Sequence, residues 1–302
     1  MPIYTSVAEP SLASRLEFLL RTQNADGGWG YFPGKTSWLE PTAYAMLALH
    51  GTGGSAAIAR AWALIATWQL DDGGWRPAAQ VPSATWVTAL ALTLCCVQQR
   101  YDHRFRMAVH WLLRTAGAES SFAMRAASYL HFLSSDVNVS HKAWPWRPGT
   151  ASWIEPTAHA LLALKSVPTQ HRNRDMEWRI REGEEMILAR RDRDGGWNSG
   201  NPNVFQTDLP SYPETTALAM LGLQGRAGHD MVAVAERFRA QSKSSLANAW
   251  LAIAMRCYGA GPTGSEQPLA SPDVMLAALE ALGHAGGNYR VFQVQGTQRV
   301  AA

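Results

Sequence analysis

At 302 residues, with 47% hydrophobic and 17% charged side chains, the chain has the composition of an ordered globular protein with a large core. Its net charge of +3 is not gathered into any Lys/Arg block, which argues against a nucleic-acid partner. Of three cysteines, Cys95 and Cys96 are adjacent and Cys257 stands alone, so there is neither a disulfide framework nor a CxxC metal spacing.

Met1 to Pro10 carries no basic start followed by an apolar run, and the nearly apolar stretch Trp86–Val97 is too short to span a bilayer. The expectation is a reduced, cytoplasmic protein, with peripheral membrane contact left open. Helical periodicity dominates, and the patterning predicts an all-α chain of about twelve helices forming one domain over residues 1–302. In chain order these are Ser11–Thr22, Leu39–His50, Ser55–Gln69, Ala84–Val97, Asp102–Thr115, Ser121–Leu133, Trp153–Leu164, Arg174–Arg190, Glu214–Leu223, Asp230–Gln241, Ser245–Cys257 and Pro272–His284. The second, fourth, sixth, seventh, ninth and eleventh are rich in Ala and Leu with almost no charge, so they must be buried on nearly every side. The other six, Pro272–His284 among them, are amphipathic and are expected to form an outer layer with one wet face. Long connectors over 134–152 and 198–212 interrupt this order and are expected near the mouth of the ring.

A repeat underlies the pattern. The turns Asp26-Gly27-Gly28-Trp29, Asp72-Gly73-Gly74-Trp75, the degenerate Ala143-Trp144-Pro145-Trp146 and Asp194-Gly195-Gly196-Trp197 each precede an Ala/Leu-rich helix. Thirteen residues after the Trp comes Thr42-Ala43, Thr88-Ala89 or Thr157-Ala158; in the fourth copy Thr216-Ala217 follows nineteen after. Such periodicity marks one supersecondary unit stacked repeatedly. It places Glu40, Glu155 and Glu214 at equivalent positions. Gln23 and Gln69 precede their Gly-Gly turns by four residues, where an amide can satisfy backbone groups left free at helix ends; at the fourth turn the position is Arg191. Pro41 and Pro156 fall in the first helical turn, where a missing N–H costs nothing.

Gln23…Gly27-Gly28-Trp29 and Gln69…Gly73-Gly74-Trp75 resemble the QW repeat of squalene–hopene cyclases and related terpenoid cyclases, in a superfamily that includes protein prenyltransferase β-subunits. The resemblance covers residues 11 to 225 and implies an (α/α)6 toroid, in agreement with the six-plus-six patterning. Class II cyclases of that family carry Asp-x-Asp-Asp-Thr-Ala, whose middle Asp protonates an alkene or epoxide. Aligned on it, Trp153 to Ala158, Trp38 to Ala43 and Tyr212 to Ala217 put Glu155, Glu40 and Glu214 at the acid position. The flanking aspartates are replaced, no Asp-x-Asp-Asp occurs, and the length suits one such domain rather than the two of full-length hopene cyclases.

The resemblance therefore implies a single-domain class II-type terpenoid cyclase acting on a linear isoprenoid in a central apolar cavity, with no metal or other cofactor. The competing expectation is a non-catalytic toroid that binds an isoprenoid, lipid or protein; a toroidal carbohydrate enzyme with two carboxylates ranks below both. Glu155 lies four residues before His159 on one helix face, so the imidazole is expected to partner the acid. A helix-capping role for the carboxylate is the competing reading. Glu40 stands likewise before Tyr44, and Glu214 follows the loop bearing Asp208, so these are reserve catalytic candidates. Trp38, Trp86, Trp153 and Trp250, with Tyr44 and Tyr212, are the aromatic candidates for lining a carbocation cavity. Arg125, inside an Ala-rich inner helix, is a candidate for holding a diphosphate or carboxylate, with a buried ion pair as the alternative.

Overall fold

The computed structural model describes residues 12–121, 124, 140–204, 207–226, 230–261 and 272–294. Among them eleven α-helices form: α1 (Leu12–Arg21), α2 (Leu39–Leu49), α3 (Ser55–Ala66), α4 (Val87–Val97), α5 (His103–Arg114), α6 (Ile154–Ser166), α7 (Arg174–Ala189), α8 (Pro213–Gly222), α9 (Asp230–Gln241), α10 (Ser245–Cys257) and α11 (Val274–Gly283). Around the ring α2 packs on α4, α4 on α6, α6 on α8, α8 on α10, α10 on α11, and α11 back on α2. Outside them α1 bridges α11 and α2, α3 covers α2, α5 covers α4, α7 covers α6, and α9 covers α8 and α10. This is the double-layered toroid expected from the patterning.

One helix changes layer. Pro272–His284, expected outside, supplies α11, which closes the inner ring. Its lone interior charge, Glu280, takes Arg15 of α1 at 3.1 Å, so the polar position meets the outer layer instead of solvent. The expected inner helix Ser121–Leu133 lies mostly outside the described residues, as does part of the 134–152 connector.

The Gly-Gly-Trp turns are the rivets between layers. The indole N–H of Trp29, Trp75, Trp144 and Trp197 donates to the carbonyls of Leu19, Ile65, Leu112 and Ile187 at 2.7 to 2.8 Å, each near the end of an outer helix. The backbone N–H of the same tryptophans donates to Thr42, Thr88, Thr157 and Thr216 Oγ1 at 2.8 to 3.1 Å, so the repeat pairs each Trp with its Thr. In the fourth copy the extra residues loop out, carrying the hairpin β1 (Asn203–Val204) and β2 (Thr207–Asp208), and leave that bond intact. The Gln23 amide donates to Gly27 and Ala57 carbonyls at 2.7 and 2.8 Å, and Gln69 to Gly73 and Arg104 at 3.0 and 2.9 Å. Arg191 keeps the same contact in the fourth turn, its Nε donating to the Gly195 carbonyl at 2.8 Å while its guanidinium lies over Trp197. Gly27 sits at φ +94, and a Cβ there would fall 2.7 Å from the Arg60 carbonyl oxygen, so only glycine fits.

A second set of bonds ties the rim. The N–H groups at the starts of inner helices lack intrahelical partners. Leu39, Trp86, Ile154 and Val274 donate theirs to the carbonyls of Pro77, Trp146, Ser199 and Tyr31 at 2.8 to 3.1 Å. Each acceptor stands two residues after a turn tryptophan of the neighbouring repeat. The last of these bonds ties α11 to the first turn at Tyr31. At the opposite end of the ring the tail 288–294 seals the base: Asn288 donates to the Leu47 and His50 carbonyls, and Gln224 to the Phe292 carbonyl at 2.8 Å.

Candidate functional site

Tyr44 of α2, His159 of α6 and Trp250 of α10 come from alternate inner helices and meet on the ring axis. Their ring centroids lie 5.4 Å apart for Tyr44–Trp250, 6.0 Å for His159–Trp250 and 6.5 Å for Tyr44–His159. Phe292 of the tail closes beneath Trp250 at 6.1 Å. Side chains thus fill the axis at this level. Above this layer, at the end where the inner helices begin, stand the residues of a candidate bowl.

The wall of the bowl is set by the repeat. Two residues before each Thr stand Glu40, Trp86, Glu155 and Glu214. In ring order Trp86 on α4 lies between Glu40 on α2 and Glu155 on α6. Trp86 packs edge-on against Trp146 at 5.2 Å and on His159 at 4.9 Å, so an aromatic platform separates two carboxyls. All three glutamates are half-buried, as are Trp86 and Trp146.

Each carboxyl has its own hydroxyl partners. Tyr31 Oη donates to Glu40 Oε2 at 2.5 Å. Ser199 and Thr215 both donate to Glu155 Oε1, at 3.3 and 3.0 Å. Ser244 donates to Glu214 Oε1 at 3.2 Å. Burial raises Glu40 above the ordinary carboxyl range, the Tyr31 hydrogen bond opposes this, and the charges of Asp273 and Glu155 add to the rise. Burial raises Glu155 as well, against the two hydroxyl hydrogen bonds, with the charge of Glu214 adding.

His159 does not take the expected role. Its imidazole faces Tyr44 Oη, 3.4 Å from Nε2, and not the Glu155 carboxyl. Burial pushes it down to about 3, so it is neutral and cannot strengthen an acid as an imidazolium would. Tyr44, paired with Glu40 on sequence spacing, turns instead to this floor. Asp208 is exposed in the hairpin and bonded to Arg193 at 2.6 Å. Trp38 is half-buried beside Tyr31, with ring centroids 6.2 Å apart. Trp153 is 38% and Tyr212 49% exposed, so both belong to the outer rim rather than the lining. Arg125 lies outside the described residues.

Sequence spacing missed Tyr31, Trp146, Ser199 and Thr215. The first three share one signal, a place two residues after a turn tryptophan, and Thr215 adjoins the repeat Thr. Among the described residues no group of three or more His, Cys, Asp or Glu side chains is arranged to hold a metal ion. No described helix is long and apolar enough to cross a membrane. An open groove of about 510 Å³ lined by Arg172, Arg174 and Arg181 lies at the start of α7 in the outer layer and includes none of the bowl residues.

No family model matches the chain. A 60-residue stretch is 47% identical to the drimenyl diphosphate synthase of Streptantibioticus cattleyicolor, covering 20% of this chain and only 11% of that protein. Among solved structures the chain is similar to the type II terpene cyclase MstE from Scytonema, with TM-score 0.53 and 17% identity over 90% of this chain and 77% of that one. A complex of a variant of that protein holds geranylgeranyl dihydroxybenzoate, at TM-score 0.52. The family 8 glycosyl hydrolase Cel10 from Klebsiella pneumoniae is similar too, with TM-score 0.56 and 14% identity over 89% of this chain and 97% of that one. At these identities the likeness is one of fold: the chain has a double-layered α/α toroid, an architecture found in both the terpene cyclase and the glycosyl hydrolase.

Proposed function

We propose that the chain is a class II-type terpenoid cyclase, in which a carboxyl at the rim protonates a linear isoprenoid that then cyclises over the aromatic bowl. The observation that carries this reading is the flanking of Trp86 by Glu40 and Glu155, two carboxyls whose burial favours the protonated form. Protonation breaks the carboxyl O–H bond, and the alkene π pair forms the new C–H bond. The cation that results needs faces of negative potential and an absence of water. Trp86, Trp146, Tyr44 and Trp250 provide such faces beneath the carboxyls. The terpene cyclase complexes among the similar structures and the short match to a drimenyl diphosphate synthase support an isoprenoid substrate. The rim position of the carboxyls is where the substrate's reacting end would lie. No metal is required for this step.

The same ring hosts glycosidases, so the assay must separate the two. The purified chain is incubated with farnesyl diphosphate, geranylgeranyl diphosphate, geranylgeranyl dihydroxybenzoate and a cello-oligosaccharide, and products are read by mass spectrometry. The expected result is a cyclised product of unchanged mass from one of the isoprenoids, with no diphosphate released. Hydrolysis of the oligosaccharide, or isoprenoid binding without turnover, would contradict the proposal.

A further inference from the structure

Taking the proposed cyclase reaction as its premise, we infer that Glu40 is the proton donor and Glu155 the proton acceptor, whereas sequence spacing made Glu155 the leading acid and Glu40 a reserve. The two carboxyls occupy equivalent repeat positions on either side of Trp86, yet their surroundings differ. Glu40 receives one hydroxyl, from Tyr31, and stands near two further carboxylates, Asp273 at the start of α11 and Glu155 itself. The neighbouring carboxylates favour a neutral carboxylic acid, and the single Tyr31 hydroxyl opposes this with one hydrogen bond where Glu155 receives two. Glu155 collects two hydroxyl hydrogen bonds on a single oxygen, from Ser199 of the fourth turn and Thr215 of α8, and the charge of Glu214 raises it. Two donors stabilise an anion and leave Oε2 available to accept a proton. The charge of Glu155 raises Glu40, so a carboxylate at Glu155 favours a proton on Glu40.

The reaction then balances within the bowl. Glu40 transfers its proton to an alkene carbon and becomes a carboxylate. After ring closure, the C–H bond beside the cation breaks, its electron pair forms the product double bond, and the proton goes to Glu155 Oε2. Tyr31 is half-buried at the rim and hydrogen-bonded to Glu40, so it is the positioning residue through which Glu40 regains a proton from solvent.

The test compares isosteric variants in the wild-type product assay, each checked by thermal melting for an intact fold. Glu40→Gln is expected to abolish substrate consumption. Glu155→Gln should still consume substrate but divert product from the wild-type alkene to alkene isomers or a water-quenched alcohol, by at least tenfold in product ratio. Tyr31→Phe should lower kcat several-fold while leaving KM and product ratio unchanged. Abolished consumption in Glu155→Gln with turnover retained in Glu40→Gln would overturn the assignment while leaving the cyclase reading intact. An unaltered product ratio in Glu155→Gln would overturn the acceptor role. A wild-type chain that cyclises none of the isoprenoids would instead remove the underlying reading, and this assignment with it.

Discussion

His159 is the side chain whose role moved furthest between sequence and fold. Its i, i+4 spacing from Glu155 is real, but the interior of the ring offers Tyr44, Trp86 and Trp250 as neighbours, and these arrive from helices remote in sequence. Local spacing reports which residues share a helix face, and not what that face meets. The consequence is measurable. The folded state holds His159 neutral down to about 3, whereas the unfolded chain takes up the proton near 6.5. Over that window the unfolded state binds more protons, so stability falls as pH drops, by at most about 1.4 kcal/mol per pH unit for this group. Glu40 and Glu155 have the opposite sign: their folded values are raised, so the stability they contribute is greatest at low pH and is lost as pH rises above 4.5. Below 4.5 the histidine acts without that opposition. Thermal melts between pH 4.5 and 3 should therefore show a shallower loss of stability in His159→Gln than in the wild type. Equal slopes would mean that the imidazole is not held neutral by its surroundings.

At the scale of the element, the turn, its tryptophan and its threonine act as one unit. The repeat was legible in the sequence because the Trp and the Thr that share this buried bond recur together, thirteen residues apart in three copies and nineteen in the fourth. The glutamine-to-arginine exchange at the fourth turn was legible as an alteration, yet not as a conserved contact, since both side chains reach the same glycine carbonyl. Thr42→Val keeps the shape but leaves the buried Trp29 N–H without an acceptor, which costs about 1–3 kcal/mol. Urea unfolding should show that loss, whereas Thr42→Ser, which keeps the hydroxyl, should lie much closer to the wild type. A loss in Thr42→Ser as large as that in Thr42→Val would contradict a dominant role for the bond. The belt of rim bonds was not legible at all, because its acceptors belong to neighbouring repeats and lie in loops.

For the whole molecule, closure distinguishes this ring from an open array of repeats. The misplaced helix shows why: α11 has the small, apolar surface of an inner helix, but its Glu280 and flanking Asp273 give it the sequence appearance of a solvent-facing one. Its Arg15 partner and its bond to Tyr31 join the last element to the first. A chain ending at residue 261 would expose the faces of α2, α10 and α1 that α11 covers. It should lose the single cooperative melting transition, as followed by circular dichroism; an unchanged transition would show that closure adds little. Closure also bears on the bowl, because it brings Asp273 near Glu40 and ties α11 to the Tyr31 carbonyl. The most direct test of the proposed chemistry is cyclisation carried out in D2O. Protonation by a carboxyl in exchange with solvent predicts one carbon-bound deuterium in each cyclised product molecule, lost together with turnover in Glu40→Gln. A cyclised product free of deuterium would contradict initiation by a rim carboxyl.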